Sequence, residues 1–266
     1  MNILVLSLLS IGLYIFGTLH QSLIYLRKTS PKSFISLLVG LIAVTGHFII
    51  TYQYIFSNNE IILSLFNTAS LVACFVVTCL LIFSVRRPIQ SIFIFCYPMA
   101  GLSLVGSLFF NSDTLSFQPE NSGIFIHITL SIIAYSIFCI AAIQGLLLYF
   151  QNNNLKKRNP TILLRNLPPL LTMENLLFEM IWSGTILLGL AIIAGSIFVD
   201  NLFAQHLAHK TIFSIVAFVI FATLLAGRSI YGWRGLTASK WTLWGFSCLM
   251  IGFFGSKLVL EQTLTH

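Results

Sequence analysis

The chain reads as long apolar runs separated by short polar breaks. Eight runs approach or exceed the ~20 residues needed to cross the hydrocarbon core of a bilayer. They cover roughly 3–25, 33–55, 61–84, 89–110, 124–150, 178–199, 210–228 and 240–260. No stretch between them is long enough for a separate soluble domain, and no internal repeat stands out. The pattern predicts an all-α polytopic membrane helix bundle of about eight transmembrane helices, with 1–266 as one integral membrane domain. The first run is too long for a signal peptide and lacks a small-residue cleavage site, so it is read as the first span.

The run at 124–150 carries the most pattern. From His127 at its leading edge, Ser131, Ala134, Phe138, Ala141 and Gly145 follow at helical spacing on one face. All but the phenylalanine are small, and small residues on one stripe let neighbouring membrane helices approach closely. This face is predicted to point into a bundle, with His127 at its top.

Composition agrees: 57% of residues are hydrophobic, 8% are charged and the mean hydropathy is +0.94, against about a quarter charged in soluble domains. A net charge of +7 would suggest a nucleic-acid partner in a soluble chain. Here the breaks between spans explain it. The first holds Arg27, Lys28 and Lys32; the third Arg86 and Arg87; the fifth Lys156, Lys157, Arg158 and Arg165; the seventh Arg228, Arg234 and Lys240. Together these are 12 of the 14 basic residues. The other breaks hold Glu60, Asp113, Glu120 and Asp200, with Lys210 alone among bases. Basic loops mark the cytoplasmic side, so both termini are predicted on the outer, periplasmic side.

That orientation gives each histidine a depth. At 1.5 Å per residue, His127 lies about 5 Å and His47 about 12 Å below the outer surface. His206 and His209 fall in the sixth break beside Lys210, His20 near the inner end of the first span, and His266 at the end of the chain. Asn67, and Lys257 with Glu261 one turn on, also lie on the outer half. Polar groups inside a span usually face a bundle interior or cavity. His47 and His127 are therefore either satisfied by a neighbouring helix (for His47, by Asn67 or a carbonyl) or ligands. Two neutral imidazoles near one surface suit haem iron. Zinc would more commonly recruit carboxylates or cysteines, and none sits at that depth.

Other chemistry is scarce. The five cysteines lie inside apolar runs without a CxxC or Cys/His pattern. There is no G-x-S-x-G, H-E-x-x-H, P-loop or buried carboxylate pair, so the reading is of a non-enzyme. Tyr97-Pro98 predicts a kink in the fourth span. After the fifth break, Pro168-Pro169 precedes Glu174 and Glu179, predicting a short interfacial segment that leads into the sixth span.

Gly232-Trp233-Arg234-Gly235, followed by an apolar helix ending Phe253-Phe254-Gly255-Ser256-Lys257, resembles the C-terminal signature of the cytochrome c assembly membrane family (CcmC/CcsA/HemX-like). The segment I-H-I-T-L-S-I-I-A-Y at 126–135 is similar to that family's histidine-led helix. Gly40 to His47, Asn67 to Leu71, Pro168 to Leu170 and Lys210 to Phe218 extend the resemblance over nearly the whole chain. Length and span number are those of the short YpjD/HemX-type subgroup. The resemblance implies haem handling at the outer face of a bacterial inner membrane. It assigns the family's outer histidine to His127 and a second-span histidine to His47, while His209-Lys210 matches a D-P-K segment of larger relatives at the lysine alone. The tryptophan-rich loop of the larger haem lyases is absent: Trp182, Trp233, Trp241 and Trp244 all fall toward inner span ends. The implied protein is a reduced homologue that binds or handles haem.

The sequence thus predicts a haem-binding or haem-handling multi-pass inner-membrane protein. Its haem-iron ligands are His127 and His47, with His209 as a further cofactor-binding candidate. Its partners are membrane lipid, haem and other cytochrome c assembly proteins, with no nucleic acid. The alternative is a transporter, or an accessory subunit for metal-ion transport, with a cavity lined by Asn67, Tyr97 and His47. A third reading is a scaffold that recruits a partner through Lys156, Lys157 and Arg158.

Overall fold

A computed structural model describes residues 3–26, 33–57, 60–62, 64–87, 89–110, 116–117, 122–156, 167–198 and 205–255. Eight helices dominate them. They are α1 (Ile3–Tyr25), α2 (Ser33–Ile55), α3 (Leu65–Arg86), α4 (Phe93–Phe109), α5 (Ser122–Lys156), α6 (Leu170–Phe198), α7 (Gln205–Tyr231) and α8 (Leu236–Met250). Seven are long and apolar enough to cross a membrane. The eighth has 15 residues and continues as a π-helical turn over Ile251–Gly255. The all-α polytopic architecture is as the apolar runs predict.

The helices fall into two compact units, the first through Gln118 and the second over Pro119–Thr161 and Pro168–His266. Within the first unit α1 packs on α2, α2 on α3, α3 on α4, and α4 closes back on α1. The second unit has the same cyclic order from α5 to α8. A small antiparallel sheet, absent from the sequence expectation, belongs to the first unit. Its strands are β1 (Phe56–Ser57), β2 (Glu60–Ile62) and β3 (Ser116–Phe117), in the order β1-β2-β3. Each is two or three residues long, too short to leave a periodic signal.

Lipid inverts the usual rule for what goes inside. The face that α1 buries is Ser7, Ser10, Tyr14, Gly17, Gln21 and Tyr25, while Leu4, Leu8, Leu9, Ile15, Phe16 and Leu19 face outward. Hydrocarbon outside is as apolar as leucine, so burying leucine brings little gain. Close packing of small residues and hydrogen bonds between helices hold the bundle instead. The stripe on α5 obeys the same logic. Ala134, Phe138 and Ala141 are fully buried. The Phe138 ring stacks on Phe221 at 3.9 Å between centroids, and a Cβ at Gly184 would lie 2.9 Å from it.

Three termini differ from or extend the expectation. Ser64 caps α3, its hydroxyl accepting from Asn67 N at 3.3 Å. Pro98 sits inside α4, entered through a 3-10 turn at Gln90–Ile92. Helix α6 begins at Leu170 and runs unbroken for 29 residues, so the expected interfacial segment is its opening turns. Pro168 and Pro169 seed it, because a first helical turn has no use for their missing N–H groups. Met173 N donates to Pro169 O at 3.1 Å. This early start places Trp182 about 18 Å along the helix, rather than at its end.

Candidate functional site

His127 lies in the second turn of α5, half-buried. Its Nδ1 is 2.7 Å from the backbone oxygen of Ala191 on α6. A carbonyl can only accept, so Nδ1 carries the proton and Nε2 keeps its lone pair. Space for the ring comes from Gly195, one turn beyond Ala191. A Cβ there would stand 2.9 Å from both His127 Cε1 and Nδ1. Ser131, next on the stripe, donates its hydroxyl to His127 O at 2.7 Å. The stripe, an acceptor on the facing helix and a glycine together fix tautomer and orientation, as surroundings do for a metal-binding imidazole.

The same end of the second unit gathers the C-terminal end of α6, the start of α7 and the π turn after α8. His209 is exposed near the start of α7, and Lys210 beside it is half-buried. Its ammonium lies 5.8 Å from the Phe253 ring centroid, close enough for a cation–π contact. Tyr135 packs among Phe246, Phe253 and Phe254 and donates its hydroxyl to Met250 Sδ at 2.5 Å. This end therefore offers a lone-pair nitrogen, an exposed imidazole, an ammonium and a cluster of rings.

His47 belongs to the first unit and is wholly buried. The Tyr14 hydroxyl lies 3.1 Å from Nδ1 and the Ser70 hydroxyl 2.9 Å from Nε2. Ser70 is in turn 3.2 Å from the Thr51 hydroxyl. A neutral imidazole donates from one nitrogen and accepts at the other, and hydroxyls can take either role. Both nitrogens are thus engaged inside the protein. Tyr97, part of the cavity expected for a transporter, is buried against Tyr14 and donates to Ser36 O at 3.0 Å.

The structure groups His127 and His209 in one unit and puts His47 in the other. His206 lies on α7, its side chain outside the described residues. Lys257, Glu261 and His266 also lie outside them. Among the described residues no three His, Cys, Asp or Glu side chains come together to hold a bare metal ion. Sequence reasoning missed the partners that define both imidazoles. The spacing Ser7, Ser10, Tyr14, Gly17, Gln21 was a readable signal for Tyr14, and the four-residue step Ala191–Gly195 for the His127 seat. Ser70 carried no distinguishing signal.

Comparison with known proteins bears on the whole chain. Residues 35–264 match the family model described as "Cytochrome C assembly protein". The chain is 29% identical over 199 residues to "Inner membrane protein YpjD" of Escherichia coli, covering 75% of each. It is 26% identical over 201 residues to "Protein HemX" of Brevibacillus brevis, covering 65% of this chain and 74% of that protein. No solved structure matches. With seven helices among the described residues long and apolar enough to cross a membrane and a match over most of its length, this multi-pass bacterial inner-membrane protein belongs to the cytochrome c assembly protein family.

Proposed function

We propose that the protein binds or handles haem at the end of its second unit where α5 begins, with His127 Nε2 as an iron ligand. The observation that carries this reading is the Nδ1 hydrogen bond to a main-chain acceptor, which leaves the other nitrogen basic and aimed by its surroundings. The residues present fit the group. Phe253 and Phe254, half-buried beside the buried Tyr135, offer apolar surface for a porphyrin, and Lys210 offers a cation for a propionate. With the basic breaks on the cytoplasmic side, this end faces the periplasm. Haem would supply the iron as the cargo of assembly, and the chain would supply its ligands and its seat.

Of the further candidates, His209 lies near the start of α7 at the same end of the unit. His47 lies in the first unit with both ring nitrogens bonded, and it is open to any ligand only after giving up Tyr14 or Ser70. The family match and the name HemX of a relative support the reading, as does the absence of the hydrolytic and phosphate-binding motifs of common enzymes from the sequence. The test is the absorption spectrum of full-length protein purified from haem-replete cells. A Soret band is expected, and it should be lost in His127→Ala. A colourless protein that takes up no added haemin, or a His127→Ala variant with an undiminished band, would overturn the proposal.

A further inference from the structure

The G-W-R-G turn plays no part in the site around His127, which lies at the opposite end of the same unit. Gly232 and Gly235 both have positive φ, +67° and +58°, which glycine adopts without strain. They fold the chain so that Trp233 lies against Gly227, stacks on Tyr231 and meets Trp241 at a tilt. Arg228 meets α6 here. Its Nη2 donates to Asn175 Oδ1 at 3.0 Å, and its guanidinium carbon lies 3.8 Å over the Phe178 ring. Arg234 approaches Glu174 no closer than 3.9 Å and is 73% exposed, so that carboxylate is only loosely engaged.

Among the described residues, three buried polar atoms at this end have no partner: Arg228 Nη1, Gln151 Oε1 and Ser239 Oγ. Gln151 ends its reach on Pro168 O through Nε2, and Ser239 is bonded through its backbone to Gly235. Buried groups of this kind rarely stay unmatched. A guanidinium edge calls for an anion with oxygen acceptors, and a carboxamide oxygen calls for a hydroxyl donor. The surroundings say where such a group comes from. Tyr231 is 74% exposed beside Trp233, and aromatic side chains at a span end sit at the level of lipid headgroups.

We propose that this end of the second unit binds the headgroup of an anionic phospholipid, with the Arg228 guanidinium on its phosphate. Phosphatidylglycerol matches both needs, carrying a phosphodiester and free hydroxyls on one headgroup. Arginine suits the role, since its planar fork can hold Asn175 and a phosphate oxygen at once. The proposal is independent of the haem reading.

The test compares the full-length protein in nanodiscs of phosphatidylcholine alone and with phosphatidylglycerol added. Wild type should gain about 5 °C in Tm with phosphatidylglycerol, the size expected for a ligand well above its Kd. Arg228→Gln should lose most of that gain, while Lys240→Gln, which removes an exposed charge at the same end, should keep it. Inorganic phosphate should give no gain. Equal losses in both variants, no gain in wild type, or the full gain from inorganic phosphate would each overturn the assignment. Native mass spectrometry of wild type from mixed discs decides the matter even if Arg228→Gln does not fold. Preferential retention of phosphatidylglycerol supports the site, and equal retention of the two lipids overturns it.

Discussion

Two histidines, one in each unit, show how partner chemistry decides what an imidazole can do. His47 is held by two hydroxyls, each able to give or take a proton, so neither nitrogen is committed and neither is free. His127 is held by one carbonyl, which commits Nδ1 as donor and leaves Nε2 as a base. By depth along their spans the two look alike, polar groups about 12 Å and about 5 Å below the outer surface. Their surroundings separate them. A buried, doubly bonded histidine ties helices together, whereas one bonded to the main chain through Nδ1 is set up to ligate.

The widest test of that contrast is replacement of each ring. His127→Ala should abolish the Soret band while leaving the fold intact, because it removes one hydrogen bond from a half-buried site. His47→Ala should do the reverse. It strands the Tyr14 hydroxyl in the interior, at about 1–3 kcal/mol for a group left unbonded, leaves Ser70 with Thr51 alone, and should lower thermal stability in detergent with haem per folded molecule little changed. Next in size is Gly195→Ala, whose new Cβ would crowd the His127 ring from 2.9 Å. Haemin titration should show roughly tenfold weaker binding, in the range seen when the surroundings of a metal ligand are disturbed. Smallest is Ser70→Ala, which takes one partner from His47 Nε2 and from the Thr51 hydroxyl and should lower stability by about 1 kcal/mol, with the Soret band unmoved. A band that shifted or strengthened there would mean that Ser70 competes with iron for His47, and the contrast would fail.

Much of the architecture was legible because lipid demands long apolar runs. The span read at 3–25 is α1, and 33–55 is α2. Boundaries slipped where polar residues continue a helix beyond the apolar core. Glu174 and Glu179 lie within α6, and Asn152 to Asn154 extend α5 past its apolar stretch. The division into two four-helix units was not legible, since it depends on which helices touch and leaves no repeat in the sequence. At the candidate site His127 and its stripe could be read directly. Its decisive partner could not, because a main-chain oxygen has no letter in the sequence. The partners of His47 are side chains, Tyr14 and Ser70, but which helices bring them to the ring is a matter of packing that no spacing along the chain records.

The central claim is that iron meets His127 at Nε2 while Ala191 holds the other nitrogen. Haemin titration of His127→Gly, with and without added imidazole, tests it most directly, since free imidazole can occupy the space the side chain leaves. The account predicts that wild type binds haemin with a Soret band, that the variant does not, and that imidazole restores the band in the variant. A variant that binds haemin as wild type does without imidazole, or one that imidazole fails to rescue although it remains folded, would contradict it.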